Sequence, residues 1–340
     1  MLTDLQKKVD VIIPVYRPDD KFLRLLSGLA GQTVPVGKLI LINTERAYWT
    51  EEADAVCQRI EAEQNAVGEV VLRHISAEEF DHAATRRLGV AQSDAPVFVC
   101  MTDDAVPENA ELLEKLSGAI RETGTSEEGE IAEAYACQLA DETASRAERF
   151  TRTFNYPAQS FVKGRADLER LGIKTFFASN VCCAYRRDIY DRLGGFCAHA
   201  VFNEDMIYAS KAVRAGYRIA YCAEARVVHS HNYTGMQQLR RNFDLGMSQA
   251  MHPEVFSGLR SEGEGIRLVR ETAGQLFHDG HAAELPKLFV QSACKYAGYR
   301  LGKCYRKLPF ALCLRLSMNR RYLIRHKDEL FGKGKRTEEG

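Results

Sequence analysis

Short apolar runs alternate with segments of helical periodicity through the first 120 residues of the chain. Four runs rich in Val, Ile and Leu predict strands, and the apolar positions between them recur every three or four residues, which predicts helices. The predicted strands are Val9–Val15, Leu39–Ile42, Val70–Ile75 and Val97–Met101. The predicted helices are Lys21–Ala30, Glu52–Glu63, Ala77–Gln92 and Glu108–Ile120. This alternation indicates an α/β fold whose central sheet is mostly parallel and covered on both faces.

The pattern becomes less regular after a polar stretch at residues 123–130. Further segments are predicted as strands at Ile131–Cys137, Thr175–Tyr185 and Arg218–Cys222, and as a helix at Asp205–Ala215. The charged segment 141–163 is predicted to be a mobile connection. From Met251 onward strand signals disappear, and we expect helices interrupted at Asp279-Gly280 and Leu308-Pro309. The chain is therefore predicted to have two parts, an α/β domain at residues 1–250 and a helical region at 251–340.

Charge is divided unevenly between these parts. The 340 residues carry 46 Lys+Arg and 46 Asp+Glu, and 45% are hydrophobic, which is typical of a globular protein and not of a disordered chain. Residues 287–340, however, hold 14 Lys+Arg and 4 Asp+Glu, a net charge of +10, so residues 1–286 carry 32 and 42, a net charge of −10. Aromatic residues are interleaved with the basic ones. This pattern predicts helices lying on an anionic membrane surface, and a solvated helical face is the alternative.

Other features of the chain bear on its compartment. No apolar run reaches 18 residues and the N-terminus does not resemble a secretory signal, so neither a membrane span nor export is expected. The ten cysteines form no C-x-x-C pair, which favours reduced thiols. We therefore expect a cytoplasmic protein whose basic tail contacts the inner face of the cell membrane. An acidic main domain argues against a nucleic-acid partner.

Two pairs of polar residues are candidates for metal binding. Asp103 and Asp104 end the fourth strand, and adjacent carboxylates repel each other unless a cation or hydrogen bonds compensate them. His229 and His231 are two residues apart on an extended segment, so both side chains can face one cleft. Oxygen and imidazole ligands together suit Mg²⁺ or Mn²⁺. The alternatives are turn and cap chemistry for the aspartates and a satisfied polar group for each histidine.

Acidic and basic residues near two predicted helices offer further candidates. Glu204 and Asp205 open the helix of the second half, where one carboxylate can act as a general base or both can simply complement the helix dipole. Arg86 follows Asp81 by five residues, which allows either a structural ion pair or a guanidinium directed at a diphosphate. The chain contains neither a G-x-G-x-x-G motif after the first strand nor a P-loop. Phosphates, if bound, must therefore be held in another way.

The order of these motifs resembles that of the family 2 glycosyltransferases, which share the GT-A fold. The resemblance covers about residues 8–250. Within this family, three stretches look most like the bacterial rhamnosyltransferases: Phe80-Asp81-His82 with Thr85-Arg86, Thr102-Asp103-Asp104-Ala105-Val106-Pro107, and His229-Ser230-His231-Asn232-Tyr233-Thr234. Residues 295–318 also resemble the C-terminal part of that group. The resemblance implies a GT-A-type nucleotide-sugar-binding domain followed by a C-terminal helical basic region.

The resemblance implies a role for each candidate residue. Donor binding would involve Pro14, Val15, Tyr16, Asp81, Arg86 and Asp103. Asp104 would be the metal ligand of the family's D-x-D motif, His229 would complete the metal site, and His231 is its alternate. Asp205 would be the catalytic base, with Glu204 beside it.

Two positions depart from the family pattern. Thr102 stands where the first aspartate of the D-x-D motif is expected. Asn43-Thr44-Glu45 replaces the usual aspartates after the second strand, and Glu45 is the candidate substitute for contacting the nucleotide. This second departure affects how the nucleotide base would be recognised.

The implied reaction is an inverting transfer of a sugar from a nucleotide donor, assisted by Mg²⁺ or Mn²⁺. The expected donor is dTDP-L-rhamnose, and the expected acceptor is a growing cell-surface polysaccharide or its lipid-linked precursor. Segment 141–163 would be a lid or an acceptor loop. The alternatives are a family 2 transferase with a UDP-hexose donor and a non-catalytic carbohydrate-assembly protein of the same fold. A nucleotidyltransferase is disfavoured because a phosphate loop near the first strand is missing.

Overall fold

The structure is a computed structural model and describes residues 9–63, 66–121, 129–258 and 262–332. Its strands are β1 Val9–Val15, β2 Val36–Thr44, β3 Val67–Ile75, β4 Val97–Met101, β5 Val106–Pro107, β6 Ile131–Leu139, β7 Phe161–Lys163, β8 Cys182–Arg186 and β9 Arg218–Val228. The helices of the α/β part are α1 Asp20–Ala30, α2 Glu51–Ala62, α3 His82–Val90, α4 Leu112–Arg121, α5 Arg146–Asn155, α6 Leu168–Leu171, α7 Arg187–Arg192 and α8 Glu204–Arg214. The C-terminal helices are α9 Gly235–Met251, α10 Pro253–Phe256, α11 Glu262–His278, α12 Leu285–Lys303, α13 Phe310–Leu316, α14 Arg320–Arg325 and α15 Lys327–Phe331.

One sheet contains all the described strands, in the order β3-β2-β1-β4-β8-β6-β9-β5, and β7 also pairs with β9. Strands β1, β2, β3 and β4 run parallel, β8 runs against both of its neighbours, and β6 and β9 are again parallel to each other. Six strands therefore point the same way, which confirms a mostly parallel sheet. The reversed strands β5, β7 and β8 make it mixed.

The direction of β8 determines what meets at one edge of the sheet. The carboxyl ends of β1, β2, β4, β6 and β9 lie there, as the parallel pairing requires. Because β8 is antiparallel, its first residue, Cys182, pairs with the last residue of β4, Met101. The segment before β8 therefore reaches the same edge as the segments that follow the parallel strands.

Helices cover both faces of the sheet, and alternate strand residues point into two cores. In β1, Val11 and Ile13 join one core with α1, α2 and α4, whereas Ile12 joins the other with α3, α7 and α8. Strands β1, β4, β6 and β8 are thus buried on both sides, as their continuous hydrophobicity predicts. All ten cysteines are reduced thiols, and seven of them are buried.

Several boundaries differ from the prediction for identifiable reasons. Helix α3 begins at His82 and not at Ala77, because the Asp81 carboxylate accepts hydrogen bonds from the first backbone N–H groups of the helix. The predicted strand over 175–185 is wrong in its first half, where a 3₁₀ turn at Gly172–Phe176 precedes the short β8. Segment 141–163 contains α5 and β7, and its mobility and its role as a lid or acceptor loop stay predictions. Residues 123–128 of the polar stretch lie outside the described residues.

Helix α12 packs closely along α9. A Cβ at Gly298 would lie 2.1 Å from the carbonyl oxygen of Leu239, and one at Gly302 would lie 2.1 Å from that of Phe243. A third core joins α9 to α13, α14 and α15 and includes Phe243 and Leu323. The helical C-terminal region is confirmed over the described residues, and 333–340 lie outside them. The division at 250/251 stays a prediction, since this core spans it.

The close approach of α9 and α12 predicts that Gly298→Ala destabilises the protein by about 1–3 kcal/mol, because the added methyl group must push the helices apart. The free energy of unfolding in urea measures this change. Gly274→Ala is the matched control, because it adds the same group to α11 where no atom lies within 4 Å. We expect that control to be neutral or slightly stabilising. Equal effects of the two substitutions would contradict the close helix contact.

Candidate active site

Polar residues that follow β1, β4 and β9 lie at the carboxyl edge of the sheet. Tyr16 follows β1, Asp103 and Asp104 follow β4, and His229 follows β9. The amide N–H of Tyr16 donates to Asp103 Oδ2 at 2.8 Å, which ties the ends of β1 and β4 together. Burial raises the pKa of Asp103 to about 7, and the charge of Asp104 adds to this effect. Tyr16, Asp103, Asp104 and His229 thus lie together at this edge, and their roles in binding stay predictions.

Asp104 faces both histidines. Its Oδ1 lies 3.4 Å from His229 Nε2, and its Oδ2 lies 3.3 Å from His231 Nε2. One ligand atom from each residue lies within 4.8 Å of the other two. His229 is buried, whereas His231 and Asp104 are partly exposed, so the group opens to solvent on one side.

Gln138, at the end of β6, fixes the orientation of His229. His229 Nδ1 lies 3.1 Å from Gln138 Oε1, which also accepts a hydrogen bond from Arg152. Since this oxygen can only accept, the proton of a neutral His229 ring is assigned to Nδ1. Burial and the neighbouring His231 lower the pKa of His229, so the ring is neutral. Its Nε2 lone pair therefore points at the Asp104 carboxylate.

This arrangement fits a cation. Two electron-rich atoms, a carboxylate oxygen and an unprotonated imidazole nitrogen, face each other at 3.4 Å with no proton between them. A divalent ion bound by both atoms would remove their mutual repulsion. The Thr102 hydroxyl, at the position that departs from the D-x-D pattern, is buried without a hydrogen-bond partner among the described residues.

A second group of charged residues lies at the start of α8. Glu204 and Arg86 form an ion pair of 2.9 Å, and both side chains are 6% exposed. Burial would raise the pKa of Glu204, but the charge of Arg86, together with His82 and a hydrogen bond from Asn180, holds it below its usual value. Glu204 is therefore a paired carboxylate and not a free base.

Asp205 has the opposite character. Its Oδ2 accepts from the backbone N–H of Asn180 at 3.1 Å, and its Oδ1 accepts from that of Met206 at 2.8 Å. Burial and the charge of Glu204 raise its pKa. The side chain is only partly buried, so a carboxylate with raised proton affinity remains within reach of a ligand.

Residues 10–194 match the sequence profile of the family described as Glycosyl transferase family 2. The chain belongs to that family. It is 34% identical over 319 residues to the O-antigen chain rhamnosyltransferase RfbN of Salmonella typhimurium, an alignment that covers 93% of this chain and 96% of that one. It is 37% identical to the O-antigen chain rhamnosyltransferase WbaN of Salmonella anatum over 252 residues, 73% and 77% of the two chains.

The fold of this glycosyltransferase is the GT-A type. Its structure resembles a mannosyltransferase of Pyrobaculum calidifontis solved with GDP-Man and Mn²⁺, with a TM-score of 0.51, 14% identity and coverage of 96% and 88% of the two chains. At that identity the likeness concerns the fold alone. It confirms the α/β fold class expected from the sequence.

Several side chains that were predicted to contact the donor of this family 2 enzyme are buried or make contacts within the protein. Val15 is 1% exposed and belongs to the core. Asp81 is 1% exposed, caps α3 and contacts Arg325 at 3.5 Å. Glu45 Oε1 accepts from the Ala77 N–H at 2.6 Å. Tyr16, in contrast, is 47% exposed, and Pro14 is partly buried. Direct donor contact by these residues stays a prediction.

Some residues of the candidate site were not predicted from the sequence. Gln138 could have been found, because it stands directly after the predicted strand Ile131–Cys137 and thus at the same edge as the other candidates. Tyr48 contacts Tyr16 edge-on at 5.5 Å and accepts a hydrogen bond from Arg17. Asn180 fell inside a predicted strand, so nothing in the sequence marked it as a loop residue.

Proposed function

We propose that this glycosyltransferase moves L-rhamnose from dTDP-L-rhamnose to a hydroxyl of a cell-surface polysaccharide or its lipid-linked precursor, in a single inverting displacement. The two Salmonella rhamnosyltransferases that align with 73% or more of the chain support the sugar and the acceptor class. The observation that carries the chemistry is the presence of an acid–histidine group, Asp104 with His229 and His231, and a basic carboxylate, Asp205, at one edge of the sheet.

Asp205 is the proposed general base. As the acceptor oxygen forms a bond to the anomeric carbon, its proton moves to an Asp205 oxygen, and the nucleoside diphosphate leaves with the electron pair of the broken bond. Glu204 is held by Arg86 at 2.9 Å and therefore does not compete for this proton. Its charge instead strengthens Asp205 as a proton acceptor.

Asp104, His229 and His231 are the proposed ligands of Mg²⁺ or Mn²⁺. When bound, such an ion would offset negative charge on the leaving diphosphate. The protein's own contribution is orientation, since Gln138 keeps the Nε2 atom of His229 unprotonated and directed at Asp104.

The donor nucleotide is proposed to lie against Pro14 and Tyr16, with Glu45 beside it. Asp103 holds the Tyr16 backbone, so its contribution to donor binding includes shaping that loop. Asp81, Arg86 and the core residue Val15 would support the donor pocket from beneath. The exposed Tyr16 and Tyr48 rings offer an aromatic surface for the base.

Replacing the base tests the chemistry. Asp205→Asn should lower kcat by about 10²–10⁴-fold and leave the donor KM nearly unchanged, because proton transfer is lost while binding is kept. In the wild type, kcat should fall with acidification at a higher pH than for an ordinary aspartate, since the pKa of Asp205 is raised and only its ionised form accepts a proton. Steady-state release of nucleoside diphosphate measures both effects. A variant with normal kcat would exclude Asp205 as the base.

The metal site predicts the behaviour of an Asp104→Ala variant. Its affinity for Mn²⁺, measured by electron paramagnetic resonance, should fall at least tenfold, and stimulation of activity by Mg²⁺ or Mn²⁺ should disappear. Asp94→Ala is the control, because it removes an exposed carboxylate whose partner is Lys38. Full wild-type activity in excess chelator would contradict the metal assignment.

A panel of donors tests the sugar. With dTDP-L-rhamnose, UDP-glucose, UDP-N-acetylglucosamine and GDP-mannose offered separately, release of nucleoside diphosphate should be at least tenfold faster with dTDP-L-rhamnose. Preference for a UDP-hexose would favour the alternative donor class. Failure to turn over any of the donors, in the presence of metal and a lipid-linked glycan, would favour a non-catalytic assembly protein.

We propose further that the enzyme works at the cytoplasmic face of the membrane and contacts anionic lipid through α12. Apolar side chains on this helix remain exposed, with Phe289 at 53%, Val290 at 61% and Tyr296 at 57%. Basic residues occur along the same helix, from Lys287 to Lys303. Within the described residues, no helix has the length and hydrophobicity needed to cross a bilayer.

Flotation with vesicles containing phosphatidylglycerol tests this contact. The full chain should bind such vesicles at low salt, and Phe289→Ser combined with Tyr296→Ser should reduce binding at least fivefold. Ile324→Ser is the control: it removes an equally exposed apolar side chain, 57% exposed, from α14, whose neighbours Arg321 and Arg325 face Glu78 and Asp81. An intact protein that does not bind anionic vesicles would exclude the membrane proposal.

A further inference from the structure

The loop before β8 lies between the two halves of the active site. Because β8 is antiparallel to β4 and β6, its starting segment stands at the edge where those strands end. Ser179 and Asn180 occupy this segment, and Asn180 is 2% exposed. A buried polar residue at this place must satisfy its hydrogen bonds within the site.

Asn180 contacts both carboxylates of α8. Its side-chain amide Nδ2 donates to Glu204 Oε1 at 3.0 Å, and its backbone N–H donates to Asp205 Oδ2 at 3.1 Å. Asn180 thus fixes the position of the Glu204 carboxylate relative to that of Asp205. A shift of Asn180 would move both acceptors at once.

Tyr185, on β8, holds Asn180 in this orientation. Its hydroxyl donates to Asn180 Oδ1 at 2.7 Å, which leaves the amide nitrogen facing Glu204. Since the Tyr185 ring is fully buried and packed against Phe98 and Phe196, the hydroxyl has a fixed position.

Ser179 connects the same loop to the acid–histidine group. Its hydroxyl accepts from Gln138 Nε2 at 2.9 Å, and Gln138 Oε1 accepts from His229. Two adjacent loop residues therefore contact the base on one side and, through Gln138, the proposed metal ligand on the other.

We propose that Asn180 is a positioning residue for the base Asp205, and that Tyr185 acts through Asn180 by fixing its amide. This inference rests on the proposed function of Asp205. The contact to Glu204 keeps the ion pair with Arg86 in place, and the backbone contact keeps the Asp205 carboxylate directed at the acceptor. Loss of either should slow proton transfer and leave donor binding intact.

Tyr185→Phe tests this with little change in volume. We expect kcat to fall about tenfold, the loss expected for one hydrogen bond, while the donor KM stays within twofold of wild type. Tyr208→Phe is the matched control, because its ring lies 5.4 Å from that of Tyr185 in the same aromatic cluster and its buried hydroxyl has no hydrogen-bond partner among the described residues. That variant should keep wild-type kcat. Asn180→Ala should lower kcat more, by about 100-fold.

A double-variant cycle separates positioning from structural damage. In an Asp205→Asn background, Tyr185→Phe should change the residual rate by less than twofold, because the group it positions is already absent. Circular dichroism confirms that each variant is folded. A tenfold loss that persists in the Asp205→Asn background would show that Tyr185 does not act through the base, and would overturn the inference.

The remaining outcomes distinguish this inference from the proposed function. If Asp205→Asn is inactive but Tyr185→Phe, Tyr208→Phe and wild type share one kcat, the base assignment stands and the positioning role falls. If Tyr185→Phe raises the donor KM and leaves kcat unchanged, the loop serves donor binding and the inference is overturned. If Asp205→Asn keeps full activity, both proposals fall together.

Discussion

The buried ion pair between Arg86 and Glu204 is the interaction on which the rest of the site depends. Two adjacent carboxylates at a buried helix start cannot both remain charged without a compensating cation, and Arg86 supplies it to Glu204 at 2.9 Å. Burial of such a pair gains little stability, because desolvation offsets the attraction. Its consequence is electrostatic and geometric: Glu204 stays charged, raises the pKa of Asp205 and joins α3 to α8.

The two histidines of the acid–histidine group differ in how firmly the protein holds them. His229 is buried and held through Gln138, whereas His231 is partly exposed and stacks on Tyr233 at 4.8 Å. A neutral, oriented imidazole costs no deprotonation when it ligates a cation at neutral pH. Electrostatic preorganisation of this kind is built before any ligand arrives, since the hydrogen bonds that create it lie within the protein.

The sequence indicated which polar residues lie close together better than it indicated the elements that support them. Asp103 and Asp104 could be found because they follow a buried strand at the edge where ligands bind in such sheets. His229 and His231 could be found because alternate residues of an extended segment face the same side. The burial of Asp81 could not, because its contact to Arg325 depends on where the C-terminal helices pack. Asn180 was not recognised for another reason. Residues 175–185 are mostly apolar or small, so nothing in the sequence showed that the strand begins only after Asn180.

The unequal charge of the two parts of the chain is explained in part by contacts between them, in addition to the proposed contact with lipid. Arg325 donates to the carbonyl oxygens of Glu78 and Phe80 and contacts Asp81, while Arg321 pairs with Glu78. Some of the basic tail therefore neutralises the acidic α/β part before α3 and is unavailable to lipid. The exposed apolar and basic positions of α12 lie on a different helix. Helix α14 contacts the residues before α3, and α12 exposes apolar and basic side chains. Helix α9 packs against both α12 and the core of α13–α15. A membrane bound to α12 would therefore be connected through α9 to the residues proposed to support the donor pocket.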